Sequence, residues 1–231
     1  MFGLGNPLLD MSAYVDYEFL KRYNLKPNDA VLADETHANL YKELIEKYQI
    51  DYTAGGATQN AIRVAQWMLG KPNAATFMGA IGNDEFGKVM ETKAKEDGVN
   101  VVYQVDHSTP TGTCGVLITD NGKSRSLCAF LGASQKFTKQ HLLANFNWVE
   151  KAKVFYISGF HLTVSPESIL EIAKHAHNNP GKSFCMNLSA PYISQVFSAP
   201  LLQMFPYIDI LFGNETEAAA FGQMRGYQVI D

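Results

Sequence analysis

A chain of 231 residues with 46% hydrophobic and 18% charged residues is long enough for one large α/β domain and has ordinary globular composition, which excludes extended disorder. A net charge of −4 with no lysine or arginine run removes the electrostatic case for nucleic acid or an anionic membrane, and no apolar run reaches the length of a membrane span. Cys114, Cys128 and Cys185 are odd in number and lack a C-x-x-C spacing, so neither a disulfide framework nor a zinc site is expected and a reducing, intracellular setting is the default; the expected location is the cytoplasm, with the nucleus in addition.

Phe2 to Asp10 reads as the end of a strand followed by a turn. Gly3 and Gly5 suggest a dinucleotide fingerprint, but Leu8 stands where its third glycine belongs and Pro7 interrupts the turn. Asn6 and Asp10 admit two readings: an amide and a carboxylate that together hold a vicinal diol, or a turn asparagine and a helix-capping aspartate. A short helix near Asp16 to Tyr23, the turn Lys26-Pro27-Asn28-Asp29 and an extended Val31-Leu32 come next. From Thr36 to Tyr48, Leu40, Leu44, Ile45 and Tyr48 keep helical spacing behind a cap at Asp34 or Thr36.

A strand around Tyr52 runs into Ala54-Gly55-Gly56-Ala57-Thr58-Gln59-Asn60, a glycine pair that opens a helix. Ala61, Val64, Ala65 and Met68 recur at i, i+3, i+4 and i+7 and mark its expected buried face. Adjacent glycines let a ligand approach the main chain where a Cβ would forbid it, and Asn60 adds a donor and an acceptor in the first turn. The other reading is a strand-to-helix turn that needs glycine only for its geometry.

Ala75 to Gly79 reads as a buried strand. Gly82-Asn83-Asp84-Glu85-Phe86-Gly87-Lys88-Val89 has the spacing of a Walker A loop, but Val89 cannot hold magnesium where that motif requires Ser or Thr. The stretch is better read as a turn in which Asp84 caps a helix from Glu85 to Asp97. Val99 to Val105, Thr113 to Thr119 and Ser126 to Phe130 read as three strands, with Asn121-Gly122 as a hairpin turn between the last two. Such an antiparallel insertion suits a lid or an oligomerising arm.

Val154 to Ser158, Phe184 to Leu188 and Ile208 to Phe212 are short apolar runs separated by helices, the pattern of parallel strands buried on both faces. The helix after the first starts at Pro166 behind Ser165 and places Ile169, Ile172, Ala173 and Ala176 on one face. His175 and His177 point apart on it, are poor joint metal ligands and are expected at the surface. Ligands of such a sheet sit beyond the carboxyl ends of its strands, here at Ser158-Gly159-Phe160, Asn187-Leu188-Ser189 and Gly213-Asn214-Glu215-Thr216-Glu217. Asn214 and Glu217 are either a capping box or a pair that orders the water shell of a magnesium ion carried by a nucleotide. Arg125 is either a cationic fork for phosphate or a solvated hairpin arginine.

Gly5-Asn6-Pro7-Leu8-Leu9-Asp10, Ala54-Gly55-Gly56 with Gln59-Asn60, Gly82-Asn83-Asp84-Glu85-Phe86-Gly87, Asn187-Leu188-Ser189-Ala190-Pro191 and Gly213-Asn214-Glu215-Thr216-Glu217 occur in this order. Over its whole length the chain resembles the ribokinase-like (PfkB) carbohydrate kinase family. Pro110 to Cys114, Gly159 to Ser168 and Ile208 to Asn214 bring the resemblance to its nucleoside-phosphorylating members. It implies a three-layer α/β/α domain with a mainly parallel sheet, one domain over 1–231, and a small β-rich lid from about 13–53 and 98–131. It also implies ATP-dependent phosphorylation of the 5′-hydroxyl of adenosine to AMP, with Mg2+ arriving with ATP, adenosine and ATP as partners, and a monomer when complete.

By that resemblance, Asn6, Asp10, Gly55, Gly56 and Asn60 hold the ribose, and Leu32, Leu127 and Leu131 with Phe160 sandwich the adenine. Arg125 attends the transferred phosphate, and Asn214 with Glu217 attends magnesium and phosphate. No direct cluster of protein metal ligands is expected. The family's C-terminal Asp-Thr-x-Gly-Ala-Gly-Asp stretch, whose last aspartate deprotonates the attacking hydroxyl, has no counterpart; Leu131-Gly132-Ala133-Ser134 is nearest and lies in the lid. The chain, which stops after Gln228-Val229-Ile230-Asp231, is therefore expected to be a fragment with both ends missing and inactive alone. Two further readings stand beside this one: a sugar kinase of the same family, and a non-catalytic nucleoside-binding protein. The apolar set Leu32, Leu127 and Phe160 favours a nucleoside over a free sugar.

Overall fold

The computed structural model describes residues 1–227; the expectation for residues 228–231 lies outside the described residues. The first elements are β1 (Phe2–Leu4), β2 (Leu8–Tyr14), α1 (Tyr17–Arg22), β3 (Ala30–Leu32), α2 (Leu40–Lys47), β4 (Asp51–Gly55) and α3 (Ala57–Leu69). β5 (Thr76–Gly82), α4 (Glu85–Glu96), β6 (Asn100–Asp106), β7 (Thr113–Thr119), β8 (Ser124–Phe130), α5 (Lys139–Ala144) and α6 (Asn147–Lys151) follow. The last are β9 (Val154–Ser158), α7 (Pro166–His177), β10 (Ser183–Asn187), α8 (Pro191–Val196), α9 (Ser198–Met204), β11 (Ile210–Phe212) and α10 (Glu215–Met224).

Six strands form a parallel sheet in the order β11-β10-β9-β1-β5-β6, so the three apolar runs at Val154, Phe184 and Ile208 are neighbours as their pattern predicts. Successive residues of a strand face opposite sides. Phe2 and Leu4 therefore pack with Phe155, Ile157, Phe184 and Met186 against Ile169, Ile172 and Ala173 of α7. On the other side Gly3 admits α3, since a Cβ there would fall 2.5 Å from Ile62 Cγ1. Helices on both faces of a mainly parallel sheet make the three-layer α/β/α fold.

The second sheet has five strands in the order β3-β8-β7-β2-β4, mixing parallel and antiparallel pairs. One of its faces buries Met11, Ala13, Leu117 and Cys128 with Phe19 and Leu20 of α1 and Leu40 and Leu44 of α2. The alternate residues, Asp10 among them, point to the opposite face. This sheet takes in residues from Leu8 onward, whereas β6, inside the expected lid segment 98–131, pairs along its whole length with β5 of the main sheet. A valine-rich strand reads alike in either sheet, and only its long-range partner decides.

Several local expectations hold. Asp84 Oδ1 accepts from Gly87 N at 2.8 Å at the start of α4, β7 and β8 form the antiparallel hairpin around Asn121, and α7 buries Ile169, Ile172, Ala173 and Ala176. Others are corrected. The buried face of α3 is Thr58, Gln59, Ile62 and Gln66, while Val64 is 54% and Met68 75% exposed. The inward polar groups have partners: Ser158 N donates to Thr58 Oγ1 at 3.0 Å, and Ala75 N donates to Gln66 Oε1 at 2.9 Å. The expected helix over Thr36 to Tyr48 is split, because Asp34 caps a separate 3-10 turn at Glu35–His37 and leaves Ile45 exposed on α2. His175 is half-buried, edge-on to Phe146 and Phe155. β11 is the sheet's edge among the described residues, so Ile210 and Phe212 are about half exposed (49% and 50%) instead of buried on both faces.

Candidate functional site

The chain leaves the carboxyl end of β1 through Gly5-Asn6-Pro7 and turns into β2, which pairs antiparallel with β4 so that Leu8 lies opposite Gly55. This crossing between the two sheets brings Asn6, Asp10, Gly55 and Gly56 into contact. A Cβ on Gly55 would fall 2.3 Å from the Asp10 carboxyl carbon. One on Gly56 would fall 2.3 Å from the Asn6 carbonyl oxygen, and Gly56 also has φ +98°, a conformation L side chains rarely adopt. The glycine pair is thus required both by its backbone and by what presses on it.

Asp10 is half-buried, and among the described residues no donor hydrogen-bonds to its carboxylate. Burial pushes its pKa up to about 6, against the opposing pull of Arg63 and Arg125. Asn60 lies exposed in the first turn of α3, where its Oδ1 accepts from Arg63 Nη1 at 3.2 Å. Arg63 also donates to the Ala54 carbonyl at 2.9 Å and pairs with Asp97. Behind the pair, buried Gln59 donates to the Gly55 carbonyl at 3.0 Å and accepts from Tyr103 Oη at 2.5 Å. Gln59, Arg63 and Tyr103 are supporting residues that sequence reasoning does not single out; the one local signal is a polar Gln59 in the first turn beside Asn60.

The outward face of the second sheet extends this region. In register, Asp10 lies beside Cys114, Val116 beside Leu127, Leu127 beside Ala30, and Ile118 beside Arg125. By strand alternation Asp10, Arg125, Leu127 and Leu32 share that face. Arg125 is exposed and Leu32 is 62% exposed, while Leu127 and Leu131 are half-buried. Phe160 comes from the other sheet, at the carboxyl end of β9, with its ring 6.3 Å from Tyr192 and its N–H donating to Ser189 Oγ at 3.3 Å. The candidate purine walls therefore stand on two separate sheets.

Asn214 and Glu217 open α10 as a capping box. Asn214 Oδ1 accepts from Glu217 N at 2.9 Å, and both Glu217 oxygens accept from Asn214, from its N–H and its Nδ2, at 3.1 Å each. Each Glu217 oxygen thus accepts one hydrogen bond within the cap, and among the described residues no group of three or more metal-ligating side chains converges. The Gly82–Lys88 stretch is likewise a structural turn. Burial acts against ionisation of Asp84, but hydrogen bonds from Thr111 and Gly87 outweigh it and hold its carboxyl below the usual range. Asp84 thereby fastens α4 to the segment that enters β7, with Thr111 N at 2.8 Å from Asp84 Oδ2.

A three-layer α/β domain with a second, smaller sheet at its strand ends is the ribokinase-like fold, and the chain belongs to the pfkB family of carbohydrate kinases, whose model matches residues 23–226. Within that class it is similar to adenosine kinases of several organisms. It is 50% identical to adenosine kinase 2 of Arabidopsis thaliana, with 100% of this chain and 67% of the relative covered. The adenosine kinase of Schizosaccharomyces pombe is 43% identical over the same shares, 100% and 67%. Among solved structures, Anopheles gambiae adenosine kinase in complex with P1,P4-di(adenosine-5) tetraphosphate superposes with a TM-score of 0.86 at 50% identity, covering 97% of this chain and 67% of that one. The apo adenosine kinase of Trypanosoma brucei brucei gives a TM-score of 0.93 at 34% identity, covering 99% and 70%. The chain thus spans about two thirds of the length of these relatives. Among the described residues no helix is long and apolar enough to cross a membrane.

Proposed function

We propose that the chain carries the nucleoside site of an enzyme that transfers the γ-phosphoryl group of ATP to the 5′-hydroxyl of adenosine, giving AMP and ADP. The observation that carries this reading is Asp10: a half-buried carboxylate against the glycine pair, with no donor among the described residues. A carboxylate left without donors at such depth is poised for hydroxyl groups supplied from outside, and the amide of Asn6, whose backbone lies against the same glycine pair, suits the second half of a vicinal diol. Asn60 at the helix start completes the polar set. Leu32, Leu127, Leu131 and Phe160 supply the apolar walls that a purine requires and a free sugar does not, which favours adenosine over ribose or fructose.

Arg125 shares the face of Asp10 and is the candidate cation for the transferred phosphate. Asn214 and Glu217 form a capping box at a helix start beyond the sheet's carboxyl end, and Mg2+ would arrive with the nucleotide's phosphates, with that pair as the candidate site for its water shell and for phosphate. Three buried cysteines with free thiols support a reducing, cytoplasmic setting. The test is AMP formation from ATP and adenosine, followed with residues 1–231 and with a version extended to the length of the relatives. The extended protein is expected to turn over adenosine and to leave ribose untouched. Phosphorylation of ribose in preference to adenosine would replace this reading with that of a sugar kinase.

A further inference from the structure

The amide of Asn6 has a partner that the ribose reading does not use. His161, in the 3-10 turn Gly159–Thr163 after β9, is fully buried, and its Nδ1 lies 2.7 Å from Asn6 Oδ1. Its ring packs against Phe137 with centroids 5.5 Å apart and planes at 63°. Burial pushes its pKa down to about 3, so the imidazole is neutral near pH 7. A neutral imidazole has one N–H, and an amide oxygen only accepts, which places that proton on Nδ1. Nε2 then needs no acceptor, and among the described residues it has no hydrogen-bond partner. The other tautomer would set a bare nitrogen against a carbonyl oxygen and bury an unsatisfied N–H, the costlier arrangement.

An amide gripped by its oxygen turns its NH2 to the opposite side of Cγ. Among the described residues nothing hydrogen-bonds to Asn6 Nδ2, and it is not among the fully buried orphan atoms, so it is a donor that reaches solvent. The Asn6 carbonyl lies close to Gly56, where a Cβ would fall 2.3 Å from it.

We propose that His161 is a positioning residue: its Nδ1–H locks the Asn6 amide with the NH2 facing the sugar, so that Asn6 donates and Asp10 accepts for the same pair of hydroxyls. The proposal rests on the ribose reading of Asn6 and Asp10. With the lock in place, a hydroxyl between them gives its proton to Asp10 and accepts one from Asn6, a complementary pair. With a rotated amide, two acceptors would compete for the same hydroxyl protons. The lock therefore acts on selectivity, favouring a ribose with both hydroxyls over its deoxy analogues.

His161→Phe keeps an aromatic ring in the buried space and removes the donor, and His161→Asn returns an N–H near the position of Nδ1. Residues 1–231 and both variants are titrated with adenosine, 2′-deoxyadenosine and 3′-deoxyadenosine by calorimetry. Thermal unfolding checks the fold, and 15N shifts of the imidazole report the tautomer. The wild type is expected to show the Nδ1–H form. H161F is expected to unfold normally, to bind adenosine about three- to tenfold more weakly, as loss of one hydrogen bond implies, and to discriminate less against the deoxy analogues; H161N should recover part of both. Unchanged discrimination in a folded H161F overturns the proposal, and so does an Nε2–H tautomer in the wild type. Failure of the wild type to bind adenosine would refute the ribose reading itself, and the tautomer would still decide whether the lock exists.

Discussion

Replacing Asp10 with asparagine removes a charge from a place that disfavours it. The folded-state pKa of about 6 stands above the ordinary 3.8, with burial as its first cause. The native chain therefore holds the proton more tightly than the unfolded chain. The stability contributed by this group is fully present below about pH 4 and is lost as the pH rises through about 6. A rise of that size corresponds to about 3 kcal/mol of native-state penalty once the group is ionised. Asparagine keeps the shape and carries no such penalty. Urea unfolding of both proteins at about pH 5 and about pH 7.5 should show Asp10→Asn the more stable at the higher pH, its advantage growing by about 1.4 kcal/mol across the interval. The same variant should lose adenosine affinity, a trade of function against stability that a carboxylate kept for a ligand implies. A variant no more stable than wild type at about pH 7.5 would mean that native donors already satisfy Asp10, and the reasoning would fail.

Gly55→Ala places a Cβ against the Asp10 carboxyl and should weaken adenosine binding at least about tenfold in a calorimetric titration, a loss of the order expected for a displaced charged hydrogen bond; an unchanged constant would show that the carboxylate has room to move. Adenosine affinity in the wild type should fall as the pH is lowered through about 6, where Asp10 takes up its proton, and a flat profile over that range would remove Asp10 from the site. Asn214→Ala deletes the cap of α10 and should cost about 1 kcal/mol in urea unfolding; no loss would show that the capping box does not hold that helix.

Signals carried by a few adjacent residues are legible in the amino-acid sequence. The glycine pair, the Asp84 cap, the Asn121-Gly122 hairpin and the buried stripe of α7 each obey rules confined to one turn or one helix. Features decided by distant partners are not legible in that way. α3 turns Thr58, Gln59 and Gln66 inward because Ser158 N, Tyr103 Oη and Ala75 N wait there as donors, and an apolar periodicity cannot register that. β2 is hidden because Asp10 and Ser12 on its outward face resemble turn residues, and β6 reads as part of the lid because its pairing with β5 is invisible in a window of neighbours. His161 carries no local signature at all, since its role depends on Asn6, 155 residues away.

The central claim is that Asn6, Asp10 and the glycine pair form a site for a nucleoside, and calorimetric titration of residues 1–231 with adenosine tests it most directly, with ribose and the Asp10→Ala variant as controls. Saturable binding of one adenosine per chain, far weaker in Asp10→Ala and absent for ribose, is the predicted result. Binding that Asp10→Ala leaves intact, or no binding of adenosine by the folded wild-type chain, would contradict it.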